Sequence, residues 1–143
     1  MQRTSLMTGP ERTRHKTWMQ ANIHAAKLGD AALAKEINSR KMDNGPYRFP
    51  AFWPHDVDWA PDHNWGGSGM IGMQEMVLQT HSVPGEDAKL RLLPAWPEEW
   101  DVVFKLHALG QAVVEGIFEG GQLTSVSVKP KTRNVDLVPK NRG

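Results

Sequence analysis

The sequence contains no cysteine. That excludes a disulfide framework, a thiolate nucleophile and sulfur-ligated zinc. It contains one tyrosine, and no apolar run approaches the ~20 residues that span a bilayer. The first sixteen residues, MQRTSLMTGPERTRHK, lack the apolar stretch of a secretory signal. Charge of one sign is also missing: the net charge is +1 and the basic residues are scattered. No clustered basic face is laid out for nucleic acid. The Walker lysine, GxGxxG and HExxH are all absent, which removes the common nucleotide and zinc-protease motifs. No cofactor is expected. The sequence carries no internal repeat and no low-complexity tract.

What is present is a chain of one-domain length, 143 residues, with 39% hydrophobic and 23% charged residues, in the range of ordinary globular proteins. Six tryptophans stand against that single tyrosine. Three of them, Trp53, Trp59 and Trp65, lie close together, and Trp96 and Trp100 form a second pair. An indole can stack on a sugar ring or fill a corner between packed elements.

Residues 1–12 are polar and broken by Gly9-Pro10. A helical pattern starts at Thr13, with Trp18, Ala21, Ala25 and Leu28 on one face. Gly29 is placed to end it and Asp30 to cap a second helix over 31–41, which buries Leu33, Ala34 and Ile37. The turn between them is short enough to make the two helices antiparallel neighbours. Asp43-Asn44-Gly45-Pro46 ends this helical hairpin.

From Tyr47 to Trp65 the prolines at 46, 50, 54 and 61 exclude a regular helix and disfavour a ladder strand. An ordered loop of about twenty residues is usually functional. Gly66-Gly67-Ser68-Gly69 is expected to open a third helix, with Ser68 as N-cap, running to about Thr80. Met70, Ile71, Met73, Met76, Val77 and Leu78 make that helix apolar over much of its circumference. Beyond Val83-Pro84-Gly85 the period changes to two. Strands are expected over 89–93, over Val102–Ala108 with Lys105 and His107 facing outward, over 112–119 and 122–129 around Gly120-Gly121, and over 134–138. The fold class is α+β, with a helical segment carrying the Trp/Pro-rich loop over residues 1–85 and an antiparallel, sandwich-like β domain over 86–143.

The candidate chemistry lies in the loop. Asp58 and Asp62 flank Trp59-Ala60-Pro61. A carboxylate among tryptophans is partly desolvated, which raises its pKa and suits acid–base work. Sugar hydrolysis commonly uses two carboxyl groups across the scissile bond. The alternative is that both aspartates only cap turns. His55, Asp58, Asp62 and His63 contain metal-compatible donors, but their spacing matches no metal motif, and no metal is expected. The glycine run can cradle an anion or let another element pack closely; the second explains it better. Glu75 is expected at a rim or in a salt bridge, and Glu98-Glu99 in a solvated turn.

Three runs carry a family resemblance: DHNWGGSGMIGMQEMVLQTH, KLRLLPAWPEEWDVVFKLHA and VVEGIFEGGQLTSVSV. Together they resemble the C-terminal end of bacterial glycoside hydrolases of family 95, the α-L-fucosidase/α-L-galactosidase type. The matching positions are Asp62, Asn64, Trp65, Gly66, Gly67, Glu75, Met76, Leu78, Gln79, His81, Leu92, Leu93, Pro94, Ala95 and Pro97. His63 stands where the family motif has glycine. The resemblance implies the last helices of a six-hairpin (α/α)6 barrel followed by the β domain, and an inverting mechanism in carbohydrate metabolism. Asp62 would be the base-side aspartate, with Asp58 in reserve. Trp53, Trp59, His63, Asn64 and Trp65 would contact carbohydrate.

The family's general-acid glutamate lies upstream of this segment and has no counterpart here, so the isolated chain is expected to hydrolyse little. The apolar faces of the first and third helices are expected to be left uncovered, for a missing N-terminal catalytic portion or a homo-oligomer to cover. Members of the family are often periplasmic or extracellular. A non-catalytic carbohydrate-binding module and a purely structural piece are the alternatives.

Overall fold

The structure is a computed structural model that describes residues 19–43, 63–81 and 88–138. It is α+β: among the described residues three α-helices, α1 (Ala21–Leu28), α2 (Ala31–Met42) and α3 (His63–Val77), precede all six strands. Strands β1 (Leu78–His81) and β2 (Lys89–Leu92) are antiparallel, and β6 (Leu137–Val138) joins β2 in parallel. Strands β3 (Val102–Ala108), β4 (Ala112–Glu119) and β5 (Gln122–Lys129) form a separate antiparallel sheet.

The α1–α2 corner follows its local sequence. Gly29 adopts φ 77°, the left-handed conformation that costs glycine least. Its N–H donates to Ala26 O and the Asp30 N–H to Ala25 O, each at 3.0 Å, the paired closure of a Schellman motif. The Asp30 carboxylate accepts from the Leu33 N–H at 3.0 Å and caps α2. The first helix is shorter than its periodicity predicts. Met19 and Gln20 are not helical, and residues 13–18 lie outside the described residues.

The third helix departs from expectation at both ends. The glycine run lies inside α3 and does not precede it, so Ser68 is not an N-cap. Glycine within a helix costs about 1 kcal/mol relative to alanine, and tertiary contacts offset that cost. A Cβ at Gly69 would meet Met42 Cε at 2.8 Å, and one at Gly72 would meet Asn22 Nδ2 at 2.2 Å. The glycines let α2 and α1 approach α3.

At its other end α3 stops at Val77, and Leu78 is already the first residue of β1. The Gln79 side-chain amide explains the switch. Its Nε2 donates to Glu75 O at 2.8 Å and to Ala26 O at 2.7 Å. Glu75 O is the carbonyl that a continuing helix would give to the Gln79 backbone N–H. The Leu93 and Ala95 N–H groups take Val77 O at 2.7 Å and Met76 O at 3.3 Å.

The hairpin between β4 and β5 turns on Gly120 and Gly121, at φ 57° and 76°, as a two-residue turn with both φ positive requires. The expected last strand is largely a 3-10 helix, Lys131–Asp136, ahead of the two-residue β6. The Arg133 guanidinium donates to Leu109 O and Ala88 O, each at 2.9 Å, and those long-range bonds hold the segment curled. Trp96 is buried, with its Nε1 donating to Trp100 O at 2.8 Å and the two rings edge-to-face at 5.5 Å. This pair fills a corner. Glu99 lies in an exposed turn and pairs with Lys35.

One apolar core runs from Ala25, Ala26 and Ala34 through Met76, Leu90 and Trp96 to Phe104, Val114 and Val128. It spans both sides of residue 85, which lies outside the described residues. Gly72→Ala is expected to lower stability by about 1–3 kcal/mol, because the added methyl must displace Asn22 or Asn38. Gly67→Ala meets nothing within 4 Å and is expected to be neutral or stabilising by up to ~1 kcal/mol. Urea denaturation of the two variants checks the contrast.

Candidate functional site

The residues proposed from sequence precede or begin α3 along the chain. Trp53, Asp58, Trp59 and Asp62 lie outside the described residues, as does His55. His63, Asn64 and Trp65 form the first turn of α3, and their side chains also lie outside the described residues. What the structure brings together is the support beneath that turn.

Asn22 from α1, Asn38 and Lys41 from α2 and Ser68 from α3 make a buried polar junction. Asn22 Nδ2 donates to Ser68 O at 2.7 Å and to Asn38 Oδ1 at 3.0 Å. Asn38 Nδ2 donates to Ala34 O at 2.9 Å and to Met76 Sδ at 3.1 Å. Lys41 is fully buried, and its Nζ donates to Ser68 Oγ at 2.8 Å. Burial pulls the Lys41 pKa from 10.5 down to about 8, because a low-dielectric site disfavours the ammonium. Asn22 Oδ1 is buried without a partner among the described residues. An orphaned acceptor costs about 1–3 kcal/mol, so the junction fixes how the helices meet more than it adds stability.

Chemically, the junction ties α3 to α1 and α2 within two turns of the residue before it, Asp62. It presents a buried cation and a hydroxyl close to the first turn. Among the described residues no group of three or more histidine or acidic side chains could hold a metal ion. No described helix is long and apolar enough to cross a membrane.

No family model, curated protein or solved structure matches the chain. The site therefore rests on its own geometry and on the sequence motifs.

Sequence reasoning missed Asn22, Asn38 and Lys41. A signal was available: Ala34, Asn38 and Lys41 continue one helical face, and Asn22 lies three and four residues before Ala25 and Ala26 on another. Polar residues on an apolar stripe mark a helix–helix junction. Glu75 pairs with Lys27 at 3.8 Å, as a rim carboxylate was expected to do.

Lys41 also predicts a pH dependence. Its folded pKa lies below its unfolded value, so the unfolded chain binds more protons between pH 8 and 10.5. Stability contributed through Lys41 rises over that window. Wild type is expected to gain about 3 kcal/mol relative to Lys41→Met across it. Urea denaturation of both proteins at a series of alkaline pH values tests this; parallel profiles would contradict it.

Proposed function

We propose that this chain is the C-terminal part of an inverting glycoside hydrolase of the family 95 type. In this reading Asp62, with Asp58 as second candidate, supplies the base-side carboxylate. Trp53, Trp59 and Trp65 wall the sugar site, and His63 and Asn64 add polar contacts. The supporting observation is that the described parts of the first two resemblance motifs, separate in sequence, pack together. Glu75, Met76, Leu78 and Gln79 close α3 and start β1. Leu92 ends β2, and Leu93 and Ala95 hydrogen-bond back to the end of α3. A motif set that co-folds in this way fits descent from a common framework.

A further observation fits the same reading. Leu28, Met70 and Ile71 are 51%, 57% and 48% exposed on α1 and α3. Helices at the end of an (α/α)6 barrel would bury such side chains against neighbouring helices. The sheet β3–β5 would be part of the sandwich-like β domain.

Inversion needs one carboxylic acid to protonate the leaving oxygen and one carboxylate to activate water on the opposite face. This chain supplies the second function only. The isolated chain is therefore expected to show no hydrolysis of aryl α-L-fucosides or α-L-galactosides above the buffer rate; robust turnover would defeat the proposal. In a polypeptide that carries the helical barrel and its general-acid glutamate ahead of this segment, Asp62→Asn is expected to lower kcat by about 10²–10⁴-fold. Glycan binding that survives Asp62→Asn and Asp58→Asn but is lost with Trp59→Ala, without any hydrolysis, would favour a binding module instead.

A further inference from the structure

A cleft of about 960 Å³ lies where α1 and α3 face strands β1, β2 and β3, away from the α1–α2–α3 polar junction. Among the described residues its charged lining is three cations, Lys27, Arg91 and Lys105, against one carboxylate, Glu75, with His81 and His107 beside them. The cations are not equivalent. Lys105 is held by Glu115 at 2.8 Å, and this bond and charge lower the Glu115 pKa. Lys27 lies 3.8 Å from Glu75. Among the described residues, Arg91 has neither an ion pair nor a side-chain hydrogen bond.

The strand register accounts for part of this grouping. Arg91 pairs with Gln79 across the β1–β2 ladder, so both side chains leave the same face of the sheet. The other face carries Leu90 and Leu92 into the core. On β3, Lys105 and His107 alternate with the half-buried Leu106 and Ala108. Part of the lining is apolar and open: Leu28 on α1, Ile71 on α3 and Leu109 after β3 are 51%, 48% and 62% exposed. The volume is at the upper end of small-molecule sites, and an apolar wall with a few convergent polar groups is their usual composition.

We propose that this cleft binds an organic carboxylate, with the carboxylate on the Arg91 guanidinium and the apolar body of the ligand against Leu28, Ile71 and Leu109. A guanidinium presents a planar fork of donors that matches a carboxylate in two parallel hydrogen bonds. His81 leaves the same face of the β1–β2 ladder as Arg91 and His107 lines the cleft from β3, so their imidazole N–H groups are further donors. The excess of cations draws an anion in and disfavours a neutral or cationic ligand. This site does not use Asp62, but it takes Leu28 and Ile71 as open surface, the same side chains that the glycosidase reading has neighbouring helices bury.

The test is titration of the full chain with phenylacetate, followed by amide chemical shifts, with neutral phenylacetamide as control. Saturable shifts are expected in residues 79–81, 91 and 105–109. They should weaken in high salt and be largely absent with phenylacetamide. Arg91→Gln is expected to raise the Kd about tenfold or more, with an unchanged thermal melt. Lys131→Gln, which removes a cation outside the cleft, should leave binding as it is. Equal shifts with acid and amide, wild-type binding by Arg91→Gln, or no saturable shift would each overturn the proposal. Binding of polyglutamate without binding of phenylacetate would overturn it in favour of a surface for acidic proteins.

Discussion

The structure depends on one abrupt change of backbone, from helix at Val77 to strand at Leu78 with no residue between. Such a change leaves the last carbonyls of a helix without partners, in a place where water is excluded. Three groups distant in character satisfy them. The Gln79 side chain serves Glu75 O, and the Leu93 and Ala95 amides serve Val77 O and Met76 O. The same Gln79 amide reaches Ala26 O and fastens α1 to the switch. Helical layer, first sheet and the Leu93–Pro97 turn therefore meet at a single point, and the core from Ala25 to Val128 is continuous through it.

Around that point the fold uses two different kinds of helix contact. Apolar packing of Met76, Ala34 and Ile37 supplies burial. The Asn22–Asn38–Lys41–Ser68 junction supplies register, since each of its hydrogen bonds is satisfied by only one alignment of the three helices. Gly69 and Gly72 make both contacts reachable by removing the side chains that would hold α3 away. The start of α3, where the resemblance places the chemistry, thus grows from an anchored helix. Catalytic groups are positioned best when the elements that carry them are rigid.

Much of the fold was legible because its signals are local. Gly29 and Asp30 mark their caps whatever surrounds them, and Gly120-Gly121 fixes a hairpin through φ alone. The limits of α3 were not legible, because they are decided by partners far along the chain. A glycine run reads as a helix boundary until Met42 and Asn22 are seen to occupy the space. Leu78 reads as one more apolar helical position until β2 pairs with it. Arg133 curls 131–136 through carbonyls at 88 and 109, which no window of sequence contains. At the candidate site, lysine defaults to the surface in any sequence reading, so Lys41 was passed over. The loop aspartates and tryptophans were legible only as chemistry, since Trp53, Asp58, Trp59 and Asp62 lie outside the described residues.

The central claim, that the closed end of α3 unites helices and sheet, is tested most directly by native-state amide hydrogen exchange. If it holds, the Leu93 and Ala95 amides belong to the most slowly exchanging class together with the last turn of α3, and all open with the free energy of global unfolding. If Leu93 and Ala95 exchange rapidly while α3 and β4 stay protected, the turn is an appendage and the account of how the first two motifs pack together is wrong.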